Sequence, residues 1–144
     1  MQVDKICVAL YRCSYFFYNN KLKLIANIFR LLNVIIFSCH ISPKAKLGKG
    51  IKLAHPTGIV IGDGVEVGDN CLIAQNVTLG VKNFYRNEYP KIGDNVVICA
   101  NAVVLGDISV GNNVIIGANS TVIFDVPNNK VAIGSPARFK ESAL

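Results

Sequence analysis

A six-residue repeat constrains this chain more than any other feature. Thirteen blocks begin at Ile41, Leu47, Leu53, Ile59, Val65, Cys71, Val77, Ile92, Ile98, Val104, Val110, Ile116 and Val122. Twelve of these thirteen are Ile, Leu or Val, types that fill 45 of the 144 positions and would supply about four by chance. The fourth place of each block is as selective: Gly50, Gly62, Gly68, Gly80, Asn95, Asn101, Asp107, Asn113, Asn119 and Asp125, with only Lys44, Pro56 and Ala74 departing. Gly, Asn and Asp reach left-handed backbone angles at least cost, so the pattern predicts an inward apolar residue and a sharp corner in every block. A chain built this way winds into a β-helix of hexapeptide repeats. At three blocks per coil, coils start at 41, 59, 77 and 104, and the Val122 block closes the stack. The nine residues 83–91, NFYRNEYPK, fit no block and are expected to loop out of the third coil. Their aromatics Phe84, Tyr85 and Tyr89 favour a binding lid over a plain linker.

Residues 1–38 differ from the repeat domain 39–144, being rich in aromatics and free of Gly and Pro. The sequence predicts two short helices broken at Asn19-Asn20. In the second, Lys23, Asn27 and Arg30 mark one face and Ile25, Ile28, Phe29, Leu32 and Ile36 the other. That apolar face is expected to cover the open first coil, since solenoids need a capped end. Contact of the same face with a membrane surface is the competing reading; Leu24 to Cys39 is too short to span a bilayer and is interrupted by Arg30. Residues 1–50 hold eight Lys or Arg against one acid, the remainder seven against eight. The basic excess is therefore local, facing an anionic membrane, an acidic polysaccharide or only solvent. Nucleic acid is not expected as a partner, because no recognition motif accompanies the charge. The five cysteines form no C-x-x-C pair and read as buried thiols in a reducing compartment. No secretory signal pattern opens the chain, and the cytoplasm is the expected location.

The chain has two histidines, His40 and His55. His55 lies in LAHPTG, where Pro56 takes the corner place, so the repeat departs from its rule beside the histidine. Local irregularity in a regular array is where function is expected. A corner histidine serves either as a hydrogen-bonded structural residue or as a general base, and the spacing leaves both open. Two histidines cannot form a three-histidine zinc site, and no metal is expected.

From residue 37 to 139 the chain resembles the serine O-acetyltransferase branch of the hexapeptide-repeat acyltransferases. The residues carrying the resemblance are ISPKAKLGKGIKLAHPTGIVIG, QNVTLG, YPKIGDNV and AIGSPAR. The resemblance implies a left-handed parallel β-helix, a homotrimer with active sites between subunits, and acetyl-CoA as acetyl donor. Carried over by motif, His55 is the general base that takes the acceptor hydroxyl's proton. The turn at Gly80 and Val81 is the candidate oxyanion donor. Gly80, Ala100 and Ala118 would line the pantetheine arm. Gly134, Pro136, Ala137 and Arg138 match the cofactor signature, with Arg138 and Lys140 near the nucleotide phosphates.

The acceptor side departs from the family pattern. Ala54 stands where an aspartate precedes the catalytic histidine, His40 replaces a second aspartate, and Glu88-Tyr89 replaces an Arg-His pair in the loop. Loss of these charges points away from a zwitterionic acceptor and towards the small acetyltransferases of capsule and O-antigen synthesis. A sugar hydroxyl of a cell-surface polysaccharide or its precursor is thus the expected acceptor, stacked on Phe84, Tyr85 and Tyr89 and flanked by His40. Serine O-acetylation, N-acetylation of an amino sugar, and a non-enzymatic glycan-binding or scaffold solenoid are the alternatives.

Overall fold

The computed structural model describes residues 3–141; Met1 and Gln2 of the expected helical segment and Ser142 to Leu144 of the expected repeat domain lie outside them. Two helices, α1 (Val3–Asn19) and α2 (Lys23–Phe37), precede the repeats. The first coil carries β1 (His40–Ile41), β2 (Lys46–Leu47) and β3 (Lys52–Ala54); the second β4 (Val60–Ile61), β5 (Glu66–Val67) and β6 (Leu72–Ala74). The third carries β7 (Thr78–Gly80), β8 (Lys91–Ile92) and β9 (Val97–Ile98); the fourth β10 (Val103–Leu105), β11 (Ser109–Val110) and β12 (Ile115–Ile116). After β13 (Thr121–Val122), β14 (Lys130–Gly134) and β15 (Ala137–Glu141) finish the chain as an antiparallel pair. Equivalent strands of successive coils stack in parallel into three sheets: β1-β4-β7-β10-β13, β2-β5-β8-β11 and β3-β6-β9-β12-β14-β15. This is a parallel β-helix. Its strands are so short because every corner consumes most of a six-residue block.

The register locates both breaks in the repeat. Ile61 pairs with Leu79 and Val104 with Val122, each eighteen residues on. Across the His55 corner the step lengthens to twenty, Ile41 to Ile61 and Leu53 to Ile73. Across the loop it is twenty-five, Leu79 to Val104. The corner therefore holds two extra residues and the loop seven, which corrects the nine expected from sequence. Two interior rows explain the miscount. Each strand buries one residue, such as Ile61 or Val67, and the corner before it buries another two positions earlier, such as Ile59 or Val65. After His55 the six-residue frame slipped from one row to the other without meeting a polar residue.

Five corners were misassigned: the slip accounts for Gly62, Gly68 and Gly80, whereas Asp107 and Asp125 are in frame and are not themselves left-handed. Left-handed backbone occurs as expected at Gly50, Asn95, Asn101, Asn113 and Asn119, but not at Gly62, Gly68, Gly80, Asp107 or Asp125. In the second coil it falls on Asn70 and Asn76, in the fourth on Gly106. The corners are tied from coil to coil by side chains. Asp69 Oδ1 accepts from Lys49 N at 2.7 Å, Asp94 Oδ1 from Asp69 N at 2.7 Å, and Asn112 Oδ1 from Asp94 N at 2.8 Å. Along another edge Asn76 donates to Asn101 and Asn101 to Asn119 at 3.0 and 3.1 Å. Such ladders satisfy corner groups that no strand pairing reaches.

Capping falls to α1. Its Cys7 and Tyr11 join the core of the solenoid. The Tyr11 hydroxyl donates to Ala45 O at 2.6 Å and accepts from Leu47 N at 3.2 Å, while Arg12 donates to the carbonyls of Leu47 and Gly48. Burial pushes the Tyr11 phenol up to about 12. These bonds occupy backbone groups of β2 that no further coil covers. α2 packs on α1 through Ala26, at the bond from Ser14 Oγ, and through buried Asn33, whose amide donates to Cys7 O at 3.0 Å. The expected apolar face of α2 does not cover the first coil. Leu24, Ile28, Leu31 and Ile35 are 78, 51, 51 and 69% exposed, and Ile25, Leu32 and Ile36 also face outward. The small and polar stripe packs inward, where the two helices exchange these hydrogen bonds, and of the expected apolar face Phe29 joins it, stacked on Phe17 with ring centroids 5.6 Å apart.

Candidate active site

His55 stands at the corner between β3 and β4 with φ +54°. A left-handed conformation costs a non-glycine residue about 1–3 kcal/mol, and the following Pro56 adds its own restriction. Surrounding bonds hold it there. Thr57 N donates to His55 O at 2.6 Å around buried Pro56, Gly58 N to Ser38 O at 2.9 Å, and Asn76 N to Thr57 O at 2.9 Å. Gly58 is itself left-handed at φ +68°, and any Cβ there would strike Asn76 Oδ1. Backbone is thus spent on fixing the corner, and the imidazole is left exposed with no hydrogen-bond partner among the described residues.

Strand register carries the His55 position down the edge of the prism. Ala54 aligns with Ala74, Ile73 with Ile98, Ile98 with Ile116 and Ile116 with Ala132. The residues that follow fall into one column: His55, Gln75, Ala100, Ala118 and Gly134. Four steps of about 4.8 Å separate its ends by roughly 19 Å. Three residues expected at the cofactor, Ala100, Ala118 and Gly134, are therefore brought into line beneath His55. At the foot of the column Gly134 (φ +107°) turns through Pro136 into β15, with Ala137 buried. Arg138 and Lys140, two residues apart on that strand, lie on one face and are exposed.

Other expected site residues lie elsewhere. Gly80 ends β7 at the far edge of the face that His55 leads into. There it lines a groove of about 640 Å³ with Lys82, Phe84, Tyr89 and Leu105. Phe84 and Tyr85 are 94 and 98% exposed, and Tyr85 lies outside that groove, beside Asn83 and Arg86. Tyr89 is half-buried; its ring rests where Gly62 and Gly64 leave room, and a Cβ on Gly62 would come within 2.8 Å of it. His40 does not reach His55: its Nε2 is 3.0 Å from Arg30 Nη1. Burial, then the Arg30 charge, pushes the His40 pKa down.

Residues 89–123 match the family of bacterial transferase hexapeptides (six repeats). Serine acetyltransferase 1, chloroplastic, of Arabidopsis thaliana is 52% identical over 103 residues, 71% of this chain and 33% of that protein. Soybean serine acetyltransferase complexed with serine superposes with a TM-score of 0.89 at 35% identity, over 93% of this chain and 56% of that one. Serine acetyltransferase from Brucella abortus in complex with coenzyme A gives 0.90 at 36%, over 94% and 54%. The chain has the hexapeptide-repeat acyltransferase fold. It spans between about a third and a half of the length of these relatives.

Within the hexapeptide-repeat fold, sequence reasoning missed the surroundings of His55. A cavity of about 520 Å³ beside the imidazole is lined by Asp4, Lys52, Ala54 and Thr57, among others. Asp4 belongs to the first turn of α1, fifty-one positions from the histidine, and no spacing rule links the two. Lys52 lies three residues before His55 on β3, the one signal the sequence offered. The cavity of the candidate base thus carries charges of opposite sign although Ala54 and His40 supply none of the aspartates that the resemblance implies. No group of three or more His, Cys, Asp or Glu among the described residues is placed to hold a metal ion.

Proposed function

We propose that the protein is an acetyl-CoA-dependent O-acetyltransferase acting on the hydroxyl of serine. The cavity carries this reading: its lining combines His55 with one carboxylate, Asp4, and one ammonium, Lys52. A free amino acid brings an ammonium and a carboxylate, and a site with one group of each opposing sign holds it by both ends. The sugar acceptor expected from the missing charges gives way here, because Asp4 of α1 supplies a carboxylate in place of those missing at positions 54 and 40, and Lys52 of β3 a cation in place of the one missing from the loop. Likeness to serine acetyltransferases, including one complexed with serine, supports the same acceptor.

In this reading a neutral His55 imidazole accepts the hydroxyl proton as the oxygen attacks the thioester carbonyl, and CoA leaves as the thiol. The pantetheine arm follows the column past Ala100 and Ala118, and the phosphates meet Arg138 and Lys140. The likeness to a coenzyme A complex supports that placement. Gly80 and Val81 supply the oxyanion donor from a neighbouring subunit, because within one chain they lie at the opposite edge of the face from His55. That requirement calls for an oligomer, and the homotrimer that the family resemblance implies would meet it. Residues 1–38 act as its cap and residues 39–144 as its catalytic prism.

CoA release measured with serine and with a panel of saccharides tests the acceptor. Serine is expected to be turned over fastest, and Asp4→Asn or Lys52→Gln to raise its KM about tenfold or more while leaving CoA binding by calorimetry unchanged. Faster turnover of any saccharide would overturn the serine acceptor, and absence of CoA binding would overturn the transferase.

A further inference from the structure

We propose that α2 seats the protein on an anionic phospholipid surface, its apolar stripe in the interfacial layer and a headgroup phosphate in the cationic cavity beside it. This inference is independent of the acetyl transfer reading. Leu24, Ile28, Leu31 and Ile35 follow one another at spacings of four, three and four, so they form one exposed stripe. The adjacent stripe, Lys23, Asn27 and Arg30, lines a cavity of about 440 Å³ together with His40, Lys44 and Asp63. Asp63, the single carboxylate of that lining, is already engaged: Lys44 Nζ lies 2.6 Å from it and Ser42 Oγ donates to it at 2.7 Å. The Lys44 bond, chiefly, holds the Asp63 carboxyl below its usual range. No carboxylate among the described residues forms an ion pair with Lys23 or Arg30, and Arg30 spends one N–H on His40. Guanidinium, ammonium and amide donors thus converge on a space that suits a phosphodiester.

Charge decides between the occupants of such a face. A second copy would bring another first-fifty-residue segment with a net charge of +7 against this one, and like charges oppose that approach. An anionic bilayer brings the opposite sign and a hydrocarbon layer together. α2 contains no Asp or Glu to resist the contact, and no helix among the described residues is long and apolar enough to cross a membrane. The helix therefore lies in the surface plane.

Co-sedimentation of the full chain with phosphatidylcholine vesicles, with and without phosphatidylglycerol, tests this. Binding is expected only with phosphatidylglycerol. It should weaken with added salt, fall about fivefold in Lys23→Gln and again in Arg30→Gln, and vanish in a Leu31→Glu, Ile35→Glu double variant. Circular dichroism checks that the double variant folds; Ile35→Gln, at the 69% exposed position, replaces it if it does not, with binding expected to drop severalfold. Several outcomes overturn the proposal. They are no binding to phosphatidylglycerol vesicles, equal binding to neutral ones, and undiminished binding by the apolar-stripe variants. Two more are decisive in the same direction: a Lys23-dependent affinity for glycerol phosphate without vesicle binding, or an oligomer dispersed by the double variant in a protein that ignores vesicles.

Discussion

The prism breaks its repeat twice, and the two breaks are built in opposite ways. At the His55 corner two extra residues are absorbed without loosening the stack, since Gly58 and Thr57 bond to Ser38 and Asn76 in neighbouring turns. In the loop after β7 the bonds are internal. Arg86 N reaches Asn83 O, Tyr85 N reaches Asn83 Oδ1, and Arg86 pairs with Glu88 at 3.4 Å. Its last residues return the loop to the prism: Tyr89 is seated over Gly62 and Gly64, and the carbonyl of buried Pro90 accepts from Glu66 N at 3.3 Å. A short insertion shares the scaffold's hydrogen bonds and inherits its rigidity; a longer one satisfies itself and stays adaptable. A catalytic base needs the first kind of support, since preorganised geometry carries much of a rate enhancement. Acceptor contacts tolerate the second.

The largest expected effect separates chemistry from scaffold at the corner. His55→Ala should lower CoA release with serine by about a hundredfold to ten-thousandfold. Its melting temperature should stay within about 3 °C of the parent, because the imidazole bonds to nothing among the described residues. A large fall in melting temperature would make His55 a structural residue instead. Gly58→Ala reverses the pattern: a Cβ at φ +68° collides with Asn76, and denaturant unfolding should show a loss of about 1–3 kcal/mol. Unchanged stability would mean that the corner yields as readily as the loop. The smallest effects belong to the loop. Tyr89→Ala should cost about 1–2 kcal/mol through lost contact over the two glycines, and Tyr85→Ala, at a 98% exposed position, less than about 0.5 kcal/mol. Equal losses in the two variants would show the loop to be packed along its whole length.

Much of the scaffold was legible in the chain. The coil count, the strand-bearing blocks and the break between helices at Asn19-Asn20 followed from periodicity, and the structure places α1, α2 and the strands accordingly. The register was not legible after His55. Two interior rows repeat with the same period, so Ile59 satisfied the pattern as well as Ile61, and only strand pairing reveals which residue belongs to which row. Likewise the stripe on α2 was visible, but not the side it faces. Hydrophobic periodicity reports that a helix has two faces; the hydrogen bonds of Ser14 and Asn33 decide which one packs.

The site divides along the same line. Sequence alone marked His55, through the Pro56 irregularity; Ala100, Ala118 and Gly134 were named by the family resemblance, carried over by motif, and not by any rule of block and corner. Tertiary structure alone placed these residues in one column, turned His40 towards Arg30, and set Asp4 and Lys52 beside the base. Contacts between residues fifty positions apart depend on how α1 closes the first coil, and no periodic pattern encodes that packing. A repeat determines what its own period can specify; the cap, the insertions and the charges they bring together are decided by the folded chain.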